Sequence, residues 1–474
     1  MLPTSHAFRE GARRALDDAA LQQALGMLKT GFRVKRGVAA RRMPEFEQLR
    51  DVARDLKNHT LDNLDLYLEA FEAKVVEQGG KVHWCRDAAS ARQVILDICR
   101  AAGARTVTKS KSMVAEEIAL NPFLERHAVE PIETDLGEYI IQLRDEPPSH
   151  IIAPAIHLNR RHVADAFMAN HRDLPPERPL DEPRQLLDEA RAVLRQRFLA
   201  ADVGITGANL LIAETGSVAL VTNEGNADLT MTLPRVHIVL TGIEKVVPTL
   251  DDAMTVLRLL ARSATGQEFS SYTTFVAGPR RPGDLDGPEQ FHVVLLDNGR
   301  SNMLGGEFQD MLRCIRCAAC LNHCPVYGAA GGHAYGWVYS GPMGSVLTPA
   351  LVGLEEAHHL PNASSLCGRC EAVCPMRIPL PKMLRHWRER EFERHLPPLR
   401  ARAALRLWAW LARRPALYRL FADAGMAGLA WLARRRGGRF AKLPLAGGWT
   451  RARDLPAPQG RTFLSQWAAG KRRP

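Results

Sequence analysis

No apolar run in this chain approaches the roughly 20 residues that cross a bilayer, so no transmembrane helix is expected. Residues Met1 to Ala20 mix Glu, Asp and Arg and lack an apolar signal core. That points to the cytoplasm, a compartment that keeps thiols reduced. No G-x-G-x-x-G follows a strand-like segment, so a Rossmann flavin or nicotinamide site has no support. Acidic residues are scarce at one end only. Residues 376–474 hold 23 Lys+Arg but 5 Asp+Glu, a net of +18; the whole chain carries +11, which leaves −7 for residues 1–375. The basic character belongs to the tail. No nucleic-acid-binding motif accompanies it, and nucleic acid is not an expected partner.

Cysteine is present in a pattern. Seven of nine cysteines fall in two short runs, Cys314-Ile-Arg-Cys317-Ala-Ala-Cys320-Leu-Asn-His-Cys324-Pro325 and Cys367-Gly-Arg-Cys370-Glu-Ala-Val-Cys374-Pro375. The first reads C-x2-C-x2-C-x3-C-P, the bacterial iron–sulfur run whose fourth Cys ligates the other cluster of a pair. Three thiols at that spacing can wrap one cube, and the Cys before Pro then points away. This assigns Cys314, Cys317, Cys320 and Cys374 to one cluster and Cys324, Cys367 and Cys370 to the other. Counting back three residues from Cys367 reaches Ser364. The second cluster is therefore three-iron, or four-iron with a ligand other than Cys. Zinc also takes C-x-x-C pairs, but rarely in three consecutive spacings closed by Pro. A disulfide framework would spread its cysteines along the chain. Cys85 and Cys99 stand alone and read as small buried hydrophobes.

The length suggests about three domains. Residues 1–45 read as an arm or as helices lying on a partner. From Phe46 to Gln78 apolar residues recur at helical spacing and Gly79-Gly80 ends the helix. Lys81–Trp84 and Arg105–Thr108 read as strands around a helix over 88–102. The alternation predicts a parallel sheet with crossover helices. Val129–Ile132, Ala208–Ala213, Val218–Thr222, Arg235–Thr241 and Phe291–Leu296 are further strands. Helices are expected around Arg160–Asn170 and Pro183–Ala200.

Lys109-Ser110-Lys111-Ser112 opens a helix after a strand. It is either an anion site or a Ser cap with solvated lysines. Asp135 and Glu138 read as a capping box before acid–base groups. Glu214, Thr215, Asn223, Glu224 and Asn226 gather at strand ends, where α/β sheets bind ligands, although turn chemistry alone explains Gly216 and Gly225. Tyr335-Gly-Trp-Val-Tyr339 lies between the cysteine runs, as core or as a screen against water. Residues 381–474 read as Arg-rich helices. Leu405, Trp408 and Leu411 share a face, Arg402, Arg406 and Arg413 another, and Leu420–Ala433 ends in Arg434-Arg435-Arg436-Gly437-Gly438. This suits an anionic membrane surface or an acidic partner.

The segments Glu214-Thr-Gly-Ser217 and Asn223-Glu-Gly-Asn226 resemble the LUD domain, named for lactate utilisation. The cysteine runs resemble the helical ferredoxin module of succinate dehydrogenase iron–sulfur subunits and heterodisulfide reductase C subunits. With Asp135–Glu138, Tyr335–Tyr339 and the basic extension, nearly the whole chain resembles the lactate-utilisation protein B family. The resemblance implies an arm over 1–45, a LUD α/β domain over 46–300 similar to isomerase and CoA-transferase folds, an all-α helical ferredoxin domain over 301–380 and a basic helical region over 381–474. It implies two four-iron clusters carrying electrons in an L-lactate-oxidising complex. The implied partners are a Cys-rich subunit and a LUD-only subunit, with a membrane acceptor beyond, a quinone or cytochrome, reached at the inner face of the membrane. Two rivals accompany this. The chain could itself be a 2-hydroxy acid dehydrogenase with Lys109, Lys111, Glu214 and Glu224 around the substrate, although clusters accept hydride poorly. It could also be a redox-sensing scaffold.

Overall fold

The structure is a computed structural model describing residues 3–434, 437–443, 450 and 454–470. It forms two compact units, Met1–Glu391 and Phe392–Pro474.

The first unit is built on six strands, β1 (Lys81–Cys85), β2 (Thr106–Lys109), β3 (Glu130–Glu133), β4 (Val203–Thr206), β7 (Val236–Gly242) and β10 (Gln290–Leu296). Their order in space is β1-β10-β7-β4-β2-β3, and every neighbouring pair is parallel. All seven residues of β7, Val-His-Ile-Val-Leu-Thr-Gly, are buried, as a parallel strand covered on both faces requires. The two-residue period of β10 sends Val294 into one core with Val107, Ile205 and Ile238. Val293 and Leu295 enter the opposite core with Leu68 and Phe71. Cys85 and Cys99 lie in the first core, as expected of small apolar residues; burial pushes the Cys99 thiol up to about 12. A smaller sheet is ordered β8 (Val246–Val247), β5 (Leu210–Ile212), β6 (Ser217–Thr222) and β9 (Tyr272–Val276). The β5–β6 hairpin turns at Gly216, whose φ is +66°.

Several elements differ from the sequence reading. The helix expected over 46–78 is two, Phe46–Asp62 and Leu64–Glu77. Asn63 breaks it with φ −129° and bonds its amide to the His59 carbonyl, the local competition that makes Asn a poor helix former. Strands β4 and β9 carried no clear pattern, β4 being four residues with Gly204 inside and β9 lying at a sheet edge. Gly344 sits inside the helix Gly341–Val352, where its bare Cα lies against the Tyr339 carbonyl.

The first 45 residues are no free arm. Helices Phe8–Asp17, Ala19–Thr30 and Phe32–Arg41 pack on the cysteine-bearing part of their own unit. Leu25 and Leu28 are buried there, the Gln22 amide donates to the Ala329 carbonyl at 2.8 Å, and Phe8 meets Tyr335 edge-on at 5.2 Å. The helix Leu380–Glu393 likewise belongs to this unit through Glu391. Trp387 is buried, stacks on Phe308 at 4.0 Å and donates to the Val346 carbonyl at 2.9 Å.

In the second unit, helices Leu399–Ala412 and Pro415–Arg434 pack on each other. Asp423 accepts from Ser465 Oγ at 2.6 Å and so ties in the helix Phe463–Gly470. Leu405, Trp408, Leu420, Phe421 and Trp431 are exposed. Arg435 and Arg436 lie outside the described residues. Among the described residues no helix is long and apolar enough to cross a membrane.

Candidate iron–sulfur centre and an adjoining cavity

The two cysteine runs repeat one backbone shape. After Cys317 comes Ala318 at φ 58°, ψ 5°, then the short helix Ala319–His323 carrying Cys320, then Cys324 at φ −76°, ψ 126°. After Cys367 comes Gly368 at φ 77°, ψ −9°, then the short helix Arg369–Val373 carrying Cys370, then Cys374 at φ −67°, ψ 120°. The left-handed residue turns the chain so that both neighbouring thiols face one side. Glycine takes that conformation freely, whereas an alanine there costs about 1–2 kcal/mol. Arg316 is also left-handed at φ 58°, so strained residues flank Cys317 on both sides. The two short helices pack against each other and bring the runs together.

The thiols sense one another in two sets. Burial pushes Cys317 up to about 12, and its next influences are Cys374 and Cys314. Cys320 is pushed up by burial, then by Cys314, Cys317 and Cys374, with Cys370 last. Cys374, raised by burial, feels Cys314. In the other set burial raises Cys370 to about 12, with Cys324 and Cys367 next, and Cys324 feels Cys367. Cys367 is exposed and is held below the usual thiol range by the Arg369 backbone N–H. Ser364 does not offer its hydroxyl freely, since it accepts from the Leu366 N–H at 3.1 Å.

This donor set fits an iron–sulfur cluster. The ligand type is thiol, and backbone N–H groups of Ala319, Tyr327, Arg369, Glu371 and Ile378 point at sulfur, which favours thiolate. Among the described residues no three His, Cys, Asp or Glu side chains gather closely enough for a single metal ion; a cube spreads its thiolates over separate corners. Two guanidiniums, the buried Arg50 and the half-buried Arg36, supply positive charge. Arg50 donates to the Cys374 carbonyl through Nε at 3.0 Å and Nη2 at 2.6 Å, and Arg36 donates to the Val373 carbonyl at 2.8 Å. The sequence reading missed both, because their role depends on helices that it treated as an arm or as the start of another domain. Tyr335 and Tyr339 are fully buried beside the runs.

A cavity of about 260 Å³ lies next to the first run. From β2 the chain moves outward to β3, and from β4 it moves the other way to β7, so the sheet reverses between β2 and β4. The crevice beyond the carboxyl ends of strands at such a point is where open α/β sheets bind ligands. Here it is lined by Ser110–Ser112 after β2, Gly207–Asn209 after β4, Lys245 after β7, Thr222–Glu224 after β6, and Ile315 and Arg316 from the cysteine run.

Of the four residues considered around a substrate, two reach this cavity. Lys111 lines it, donates to the Ile152 carbonyl at 2.8 Å and stands 3.9 Å from Asp135. Glu224 lines it and accepts from the Leu136 N–H at 3.1 Å; burial, then Asp135, raises its carboxyl above the ordinary range. Lys109 does not reach it. Its ammonium is fully buried against Glu133 at 2.6 Å and Glu116 at 3.2 Å, which hold it charged although burial works the other way. Glu214 is elsewhere, accepting from the Leu250 N–H at 3.0 Å where a helix begins. Ser112 accepts from the Ala115 N–H at 3.2 Å, so it is the cap of a five-residue helix. Asp135 caps Glu138, but the Glu138 carboxyl is buried without a partner rather than closing a capping box.

A buried charge chain joins sheet to cysteine run. Arg300 donates to Glu117 at 2.7 and 2.9 Å and forms an ion pair with Glu244 at 2.8 Å. Glu117 also accepts from the Tyr339 hydroxyl at 2.6 Å. Glu244 faces Arg316 at 3.5 Å, and the Arg316 guanidinium lies 4.6 Å over the Tyr339 ring.

A doubly covered parallel sheet followed by paired cysteine repeats defines a LUD domain joined to a 4Fe-4S dicluster domain. The LUD domain family matches residues 68–296, and the 4Fe-4S dicluster domain family matches residues 310–378. "Lactate utilization protein B" of Bacillus licheniformis is 43% identical over 469 residues, covering 98% of this chain and 97% of that protein. The protein of the same name from Bacillus subtilis is 41% identical over 464 residues, covering 98% and 96%. "Uncharacterized electron transport protein YkgF" of Escherichia coli is 41% identical over 462 residues, covering 97% and 95%. The chain belongs to the lactate utilization protein B family.

Proposed function

We propose that the chain is the iron–sulfur electron-transfer subunit of a complex that oxidises L-lactate to pyruvate. The observation that carries this reading is the repeated cysteine turn and short helix, the two copies of which pack against each other and bring seven thiols from both runs together. Cys314, Cys317, Cys320 and Cys374 would hold one four-iron cluster. Cys324, Cys367 and Cys370 would hold the other, either as a three-iron cluster or as a four-iron cluster with a ligand other than Cys. Bound there, the clusters supply one-electron carriage between the site of oxidation and an acceptor. Arg36 and Arg50 balance negative charge, and the buried tyrosines keep water from the cysteine runs. The exposed Cys367 brings the second set of thiols to the surface, where electrons can be exchanged with another protein. A Cys-rich subunit and a LUD-only subunit complete the complex. The second unit, with exposed Trp408, Phe421 and Trp431 among arginines, holds it peripherally to the inner membrane face near a quinone or cytochrome.

The test is iron and acid-labile sulfide on anaerobically purified protein, with electron paramagnetic resonance before and after reduction. Seven or eight irons per chain, on the order expected for two clusters, support the reading; zinc without sulfide overturns it. The cavity beside the first run favours a second reading, in which the chain itself oxidises the acid. In that case the isolated chain bleaches its clusters on addition of L-lactate, whereas a carrier subunit does so only in the assembled complex.

A further inference from the structure

The cavity at the sheet's switch point has an unbalanced lining. Lys245 is 7% exposed and lines the cavity, and among the described residues none accepts a hydrogen bond from its ammonium. Its backbone is pinned from behind, because the buried Lys57 ammonium donates to the carbonyls of Glu244 at 2.7 Å and Val246 at 2.9 Å. Arg316 also lines the cavity, and its buried Nη1 has no partner. The neighbouring carboxylates are already engaged. Glu117 takes Arg300, Tyr339 and Asn298, and Glu244 takes Arg300 closely and Arg316 only at 3.5 Å. The charged residues that line the cavity are three cations (Lys111, Lys245, Arg316) and two carboxyl groups (Asp135, Glu224), with the Cys314 thiol beside Lys245 and Arg316. A buried donor without an acceptor costs about 1–3 kcal/mol, more when charged, so the arrangement calls for an anion in the cavity.

The rest of the lining narrows the anion. Lys111, Asp135 and Glu224 form a separate polar group that offers both a donor and acceptors. Two carboxyl groups there repel a dianion such as phosphate, while an Arg fork beside a Lys suits a carboxylate. The volume, about 260 Å³, lies below the roughly 300–1,000 Å³ of pockets that hold drug-sized ligands. We propose that this cavity binds a small monocarboxylic acid with a second oxygen on C2, its carboxylate on Arg316 and Lys245 and its hydroxyl or keto oxygen toward Lys111, Asp135 and Glu224. The choice of a 2-hydroxy or 2-oxo acid rests on the proposed function; the demand for an anion rests on the donors of Arg316 and Lys245 at the cavity wall.

Calorimetric titration of the full-length, iron-loaded chain tests this, with L-lactate, pyruvate, acetate and inorganic phosphate as probes. L-lactate or pyruvate should bind at a single site, more tightly than acetate, and phosphate should not compete. Lys245→Met and Arg316→Gln should each weaken binding about tenfold or more, the loss of one charge-assisted hydrogen bond. Glu224→Gln should alter the preference for L-lactate over acetate and leave acetate binding in place. Arg316 lies between two cluster cysteines; if its variant loses iron, Lys245→Met decides. The bound acid should also change the paramagnetic spectrum of the cluster on Cys314, Cys317, Cys320 and Cys374 and leave the other unchanged. Absence of saturable binding overturns the proposal. So does binding indifferent to Lys245→Met, or a Lys245→Met variant that alters only the cluster potential, since the two cations would then serve the cluster alone. Iron, sulfide and dithionite reduction on the same samples keep the outcomes apart. Intact clusters without acid binding refute the cavity only, whereas missing clusters refute the electron-carrier reading.

Discussion

Replacing Arg300 with Met should expose how much of this unit rests on one buried cation. The Arg300 side chain is 1% exposed, and its partners Glu117 and Glu244 are 0% and 2% exposed. Burial works to raise both carboxyls, yet Arg300 outweighs it. Glu117 lies below the usual carboxylate range, and Glu244 is lowered to about 2. A depressed carboxyl stabilises the fold above its unfolded pKa of 4.5, and that contribution fades as pH falls toward 2. For Glu244 the difference corresponds to something on the order of 3 kcal/mol. Arg300→Met leaves two buried carboxylates short of their cation, with Arg316 still 3.5 Å from Glu244. The expected loss is about 3–5 kcal/mol at pH 8. It should also depend on pH with a definite sign. Without Arg300 the two carboxyls rise above 4.5, so the variant's deficit shrinks as pH falls and they take up protons. Urea unfolding followed by tryptophan fluorescence, on both proteins at pH 8, 6.5 and 5, measures this. A deficit below about 1 kcal/mol, or one constant across that range, would show that the chain Glu117–Arg300–Glu244 is not held by charge.

Four further outcomes follow from the structure. Cys374→Ser and Cys317→Ser, far apart in sequence, should produce the same paramagnetic defect, and Cys324→Ser a different one; matching defects for Cys317→Ser and Cys324→Ser would break the crossed assignment. Ala318→Gly should stabilise the unit by about 1 kcal/mol in urea unfolding, because glycine accepts the φ of 58° found there; a loss of stability would mean that the alanine methyl matters more than the backbone. Truncation after Leu380 removes the buried Trp387 and should lower stability by at least the roughly 3–5 kcal/mol of a Trp→Ala change. Truncation after Glu391 should keep both clusters and weaken attachment to vesicles of anionic lipid; attachment equal to that of the full chain would remove the second unit from that role.

What could be read before folding was what neighbours along the chain settle among themselves. Thiol type and spacing are local, so the candidate cluster ligands stood out from Cys314 to Cys374. Runs such as Val236–Leu240 and Phe291–Leu296 are apolar because both of their faces are covered, and they announced the parallel sheet. Asn63 was visible as a residue, but whether the chain bends or continues there is decided by packing. Lys109 and Lys111 are two residues apart and looked alike. Strand periodicity put one inward against Glu133, while the other, just past the strand, stands at the cavity. Arg36 and Arg50 lie some 320 to 340 residues from the carbonyls that they hold, and no pattern in the sequence links them. By itself the sequence determined the donor atoms, the family and the sheet, since each follows from residue type at short spacing. Only the tertiary structure decided that the two cysteine-bearing helices pack together, which carboxylates Arg300 neutralises and where the cavity lies. Each of those depends on burial and on charges brought together from distant segments, and the sheet's reversal between β2 and β4 is what brings them together.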